Sequence, residues 1–135
     1  VIFNSWRSFL FLSKLVLVGE KHIAAALLAD FLQYSKMEKS VSFFRRSSHS
    51  YVVWLMVLDH YFNSKKLSVE NIEEKVSHII SRKTLFSFLD DAVENNFLIK
   101  THDPKDKRRT LLTPTKVTLD EFKTWSATLT AALKK

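Results

Sequence analysis

Residues 81–109 read SRKTLFSFLDDAVENNFLIKTHDPKDKRR. The first part has helical spacing. Ser81 can cap it, and Leu85, Phe88, Leu89 and Ala92 or Val93 share one face. Arg82, Lys83, Phe86, Ser87 and Asp90 share the other. Asn95-Asn96 stops the helix, because Asn is the best substitute for Gly in a left-handed cap. Phe97 to His102 then alternates as a strand, Asp103-Pro104-Lys105-Asp106 is a turn with an early proline, and Arg109 to Leu112 is the return strand. The stretch is therefore a helix, a sharp stop and a hairpin with a basic tip.

Just upstream, Ser68 caps a short helix, Val69 to Val76, with Ile72 and Val76 facing inward. Glu70 in its first turn suits the helix dipole. Ser77 to Ile80 form the turn into the Ser81 helix. Two short helices joined this way make a helix-turn-helix, whose second helix enters a DNA major groove.

Further upstream, a helix runs from about Ser50 to Asn63 on Val52, Val53, Leu55, Met56 and Leu58, with Ser47, Ser48 or Ser50 as its cap. Leu67 after it is long enough for one β-bridge. Met37 to Ser50 reads as a polar, basic connection. Its Phe43-Phe44-Arg45-Arg46 run reads as a core edge beside solvated charge, in preference to a base-stacking platform. Residues 3–18 and Glu20 to Lys36 carry two broadly apolar helices, with Gly19 ending or bending the first. So much apolar surface in so short a chain points to a partner subunit. Thr115 to Lys135 is helical again on Leu119, Phe122, Trp125, Leu129 and Leu133, with Pro114 at or just before its first turn.

Composition narrows the class. At 135 residues the chain fits one domain. One Gly and two Pro favour a mostly helical protein, since strands need frequent turns. Cysteine is absent, which excludes disulfides and thiol switches and fits a cytoplasmic protein. A net charge of +7 favours a polyanionic partner. The run Phe9 to Val18 is too short to span a bilayer, so no membrane role is expected. The chain begins at Val1, as a trimmed N-terminus would.

The pattern Leu67-Ser68, Ile72, Val76, Thr84-Leu85, Leu89-Asp90, Asn96-Phe97-Leu98 and Asp103-Pro104-Lys105-Asp106-Lys107-Arg108 resembles the winged helix-turn-helix of MarR-type transcriptional regulators. The hairpin motif D-P-x-D-x-R carries most of the resemblance, which covers Tyr51 to about Leu112. The chain departs from the family at Asn96-Phe97, where glycine-leucine is usual, and at Phe86-Ser87, where Ser-Arg is usual. Asp91 replaces a usual basic residue, and the Ser77–Ser81 turn is longer than the common form.

The resemblance implies a mostly α fold with a small β-hairpin wing: a winged helix-turn-helix lobe at 47–113 and helical dimerisation arms at 1–46 and 114–135, in a single domain. It implies a homodimeric, bacterial regulator, a repressor in the first instance, gripping a palindromic operator of double-stranded DNA. A small-molecule effector is possible in this family.

The expected DNA contacts are Ser81, Arg82, Lys83, Thr84, Phe86 and Ser87 on the helix and Lys105, Lys107, Arg108 and Arg109 on the wing. Wing cations release counterions from phosphates, and a narrow minor groove attracts Arg108. A solvated hairpin tip is the plainer reading of the same charge. Phe86 either touches a thymine methyl or packs under the turn. Thr84 either contacts DNA or packs its methyl.

The alternative function is a winged-helix protein-interaction module that has lost DNA binding, favoured by Phe86, Asp90 and Asp91. The five histidines show no zinc spacing. No phosphate loop or nucleophile elbow is present, so no metal, cofactor or enzymatic activity is expected.

Overall fold

The computed structural model describes residues 19–33 and 37–133. The expected helix over 3–18 lies outside them. Two compact units are present, Val1–Met37 with Thr124–Lys135, and Glu38–Lys123. The second is wider at both ends than the lobe expected at 47–113.

The Glu38–Lys123 unit holds α2 (Lys39–Phe44), α3 (Ser48–Phe62), α4 (Val69–Val76), α5 (Arg82–Glu94), β1 (Leu98–His102), β2 (Thr110–Pro114) and the start of α6 (Lys116–Leu133). Serines open α3, α4 and α5. Ser47 Oγ accepts the Ser50 N–H, and Ser81 Oγ accepts the Thr84 N–H. Ser68 and Asn71 form a reciprocal capping box at α4. The stop after α5 is a Schellman motif. Asn96 takes φ 62°, its N–H bonds Val93 O at 3.0 Å, and the Phe97 N–H bonds Ala92 O at 2.8 Å.

β1 and β2 pair antiparallel from Leu98↔Pro114 to His102↔Thr110. Pro114 thus closes the hairpin, and α6 starts after Thr115, whose Oγ1 accepts the Thr118 N–H. Proline suits this edge position because β2 asks no N–H of it there. The third strand position is a single bridge, Ser68↔Leu111, with the Leu112 N–H donating to Leu67 O at 2.9 Å.

The core of this unit is Val41, Phe44, Trp54, Val57, Leu58, Ile72, Val76, Leu85, Leu89, Leu98 and Leu112, all buried. Burying each large side chain stabilises the fold by about 1.5–3 kcal/mol.

Met37 to Ser50 is not a plain connection. Lys39–Phe44 is a helical turn that inserts Val41 and Phe44 into the core. Phe43 stacks on Phe88 at 5.2 Å and lies 5.1 Å from Phe97. Burial of this aromatic pair outweighs the polar residues around it. Ser40 fixes the turn by donating its N–H and hydroxyl to Glu121 Oε1, at 2.9 and 2.6 Å. At the start of α6, Thr118 donates to Phe97 O at 2.7 Å and Thr115 to Asn96 O at 2.8 Å. These bonds lock the α5–β1 corner, and so fix the angle at which the hairpin leaves α5.

In the other unit, residues 19–32 form α1. Gly19 is the first helical residue of α1 among the described residues, and the expected end or bend of a preceding helix there lies outside them. Trp125 Nε1, on the α6 segment of this unit, donates to Asp30 Oδ1 at 2.8 Å. Ile23, Leu27, Leu28, Phe31 and Leu32 of α1 are exposed.

Candidate nucleic-acid interface

The hairpin tip follows from its two aspartates. Asp103 Oδ1 accepts the Lys105 N–H at 3.0 Å, and Asp106 Oδ1 accepts the Arg108 N–H at 3.1 Å. These are successive Asx turns. The loop closes with the Asp103 N–H to Arg109 O and the Arg109 N–H to Asp106 O, both 2.9 Å. The aspartates of D-P-x-D-x-R are therefore backbone organisers. What they display is Lys105, Lys107 and Arg108, all exposed. Arg108 is 93% exposed, and among the described residues its side chain pairs with its neighbour Asp106, at 3.5 Å.

Arg109 is placed differently. Nη1 lies 3.6 Å from Asp103 Oδ2, and Nη2 donates to Asn71 Oδ1 at 3.2 Å. It braces the hairpin base against α4. Lys66 Nζ reaches Asp103 Oδ1 at 3.5 Å. The Lys105 N–H chiefly holds the Asp103 carboxyl below its usual range, and Lys66 and Arg109 act with it against burial.

On α5, Lys83, Thr84 and Ser87 are exposed along one side. The Ser81 hydroxyl caps the helix and also donates to Thr84 Oγ1 at 3.0 Å. Arg82 bridges α4 and α5: Nε lies 3.6 Å from Glu73 Oε1, and the guanidinium sits 5.0 Å above the Phe86 ring. Phe86 is half-buried beneath it. Asp90 pairs with Lys100 of β1 at 3.1 Å, and Asp91 approaches Arg46 at 3.9 Å. Both acids expected to weaken this surface have a cation from the same unit.

Sequence reasoning missed Arg46 and His49. The structure sets them beside Lys83, Thr84 and Ser87 around one open cleft of about 460 Å³. The Phe-Phe-Arg-Arg run was the available signal. Its reading as a core edge with solvated charge holds for the phenylalanines but leaves out the proximity to α5.

This arrangement of capped helix pair and braced hairpin matches known structures. PefR, a heme sensor protein from Streptococcus agalactiae crystallised with heme, superposes with a TM-score of 0.55 and 18% identity, over 83% of this chain and 72% of its own. The fold is a mostly helical winged helix-turn-helix with a two-strand hairpin. The PcaV transcriptional regulator from Streptomyces coelicolor is similar to this winged helix, with a TM-score of 0.51 and 22% identity, over 83% of this chain and 76% of its own. No family model matches the chain. No curated protein matches it either. In winged-helix terms, α5 is the recognition helix and the β1–β2 hairpin is the wing. No helix among the described residues is long and apolar enough to cross a membrane.

Proposed function

We propose that the chain is a bacterial transcriptional regulator, acting as a repressor, that binds double-stranded DNA as a cytoplasmic homodimer on a palindromic operator. It performs no catalysis. The observation that carries this reading is the winged helix with its cations outward, Lys105, Lys107 and Arg108 on the wing and Lys83 on α5, where the hydroxyls of Thr84 and Ser87 are exposed beside it. α5 enters the major groove, where Lys83, Thr84 and Ser87 meet base edges and phosphates. The wing meets phosphates and the minor groove, with Arg108 foremost. Arg82 and Phe86 act as one stacked unit at the start of the helix.

The same observations weigh against a protein-interaction module. Asp90 is paired with Lys100 at 3.1 Å, so of the two aspartates on α5 it is Asp91 alone, 3.9 Å from Arg46, whose charge is only loosely met.

The exposed aliphatic face of α1 supports dimerisation, since Ile23, Leu27, Leu28 and Leu32 together make an apolar patch of the kind that partners cover. A small-molecule effector completes the reading, by analogy with PefR, a heme sensor. A ligand that binds a DNA-competent and a DNA-incompetent arrangement of the dimer unequally would shift DNA affinity.

The test is fluorescence anisotropy on a labelled duplex as salt is varied. Log affinity should fall linearly with log salt, and Arg108→Ala, which removes one contact from each subunit of the dimer, should flatten the slope by about two units. A flat salt response in the parent would sink the proposal. An Arg108→Ala variant that binds as the parent does would remove the wing from it.

A further inference from the structure

Arg46 lies in the turn between α2 and α3. Its guanidinium carbon sits 4.5 Å from the Phe43 ring centroid and 5.3 Å from that of Phe88. Two aromatic rings thus hold the head in one place while the side chain stays half-exposed. His49, in the first turn of α3, stands edge-on to Phe88 with centroids 5.9 Å apart. Its ring nitrogens lie 3.3 Å from Ser47 Oγ. Across the cleft, α5 presents Lys83, Thr84 and Ser87.

The lining is rich in donors: a guanidinium, an imidazole, an ammonium and two hydroxyls. Its one carboxylate is Asp91, whose Oδ2 is 3.9 Å from Arg46 Nη2. That separation is at the outer limit of an ion pair. A pair so open to water is weak, so a stronger anion can take Arg46 from it. A planar guanidinium already oriented by stacking offers two parallel donors to a phosphate at little ordering cost.

We infer that this cleft seats a backbone phosphate of the DNA that α5 enters. Arg46 is the principal donor, Lys83 the second, and Asp91 the built-in competitor. The inference rests on the DNA-binding reading above and adds a third contact zone to the recognition helix and the wing. It also supplies a cation to the part of the surface where Ser87 and Asp91 carry none. Because the contact is to phosphate, it strengthens binding to all sequences and fixes register without selecting bases.

The experiment uses the full chain and a fluorescein-labelled duplex of mixed sequence, titrated across a salt series. Arg46→Gln keeps the length and flat head of the side chain and removes the charge. It should weaken binding about a hundredfold at low salt, the order expected of one charge-assisted hydrogen bond lost from each subunit. It should also lower the log–log salt slope by about 1.8, one phosphate contact of about 0.9 in each subunit of the dimer. Asp91→Asn should do the opposite and strengthen binding several-fold, which no folding defect would mimic. Thermal melts of each variant accompany the titration.

If the parent binds with a steep salt slope while Arg46→Gln keeps both affinity and slope, the phosphate seat is wrong and the DNA reading stands. Weaker binding by Asp91→Asn, with its melting temperature retained, also overturns the seat. If the parent shows no salt-dependent binding, both readings fall.

Discussion

Arg108 and Arg109 are neighbours in sequence and do different work. Arg108 is 93% exposed, whereas Arg109 is 39% exposed and spends its guanidinium on Asp103 and Asn71. Arg109→Ala should therefore lower the melting temperature, by about 3–5 °C for a loss on the order of 1 kcal/mol. Arg108→Ala should leave it unchanged. Differential scanning fluorimetry separates the two, and equal melting temperatures would contradict the brace.

Asp103 gives this site a pH signature. Its carboxyl is depressed, first by the Lys105 N–H and then by Lys66 and Arg109. A group whose folded pKa lies below its unfolded value stabilises the fold fully above the unfolded value, about 3.9 for Asp. That stability is lost as pH falls through the depressed folded pKa. Asp103→Asn keeps the acceptor and removes the charge. The gap in melting temperature between parent and Asp103→Asn should be constant from neutral pH to about pH 5 and shrink below about pH 4. A gap that widens in acid would show that the charge is not what matters.

At the scale of elements, what was legible is what local chemistry dictates. The Ser81 cap, the α5 face and the Asn96 stop depend on residues within one or two turns, so the sequence stretch 81–109 carries them whole. The short α2 was not legible, because six residues show too little period. Its identity as a helix comes from contacts far along the chain, Phe43 with Phe88 and Phe97, and Ser40 with Glu121. The same distance hid Arg46 and His49 from the reading of the site. Charge pairing was hidden for the same reason: Asp91 looked unfavourable until Arg46 was found 3.9 Å away.

Asn96 turns the local part into a measurement. At φ 62° it sits where L residues with a Cβ are strained. Asn96→Gly should be neutral or stabilising. Asn96→Ala should cost about 1 kcal/mol in urea unfolding, the left-handed penalty of a residue without Asn's local hydrogen bonding. An Ala variant as stable as the parent would mean that the corner is held by Thr115 and Thr118 alone.

At the scale of the whole molecule, the proposal stands on pairing. A palindromic site needs two recognition helices about 34 Å apart, one DNA turn, which one winged helix cannot supply. Among the described residues α1 offers a surface for pairing, where Leu28 is 61% and Leu32 76% exposed. Each leucine covered by a partner subunit contributes about 1.5–3 kcal/mol to association. A symmetric interface counts each of them twice. Leu28→Lys with Leu32→Lys replaces that gain with desolvated charge, so it should convert a dimer to a monomer on size-exclusion chromatography with light scattering.

Neither side chain belongs to the Glu38–Lys123 unit, so the double variant should keep the folding transition of that unit. It should still bind DNA, but with a smaller salt slope, because each binding event then carries one set of cations in place of two. A double variant that elutes and binds as the parent does would remove α1 from the interface. A parent that is monomeric at micromolar concentration would remove the homodimer itself, leaving a winged helix that grips DNA singly and without operator symmetry.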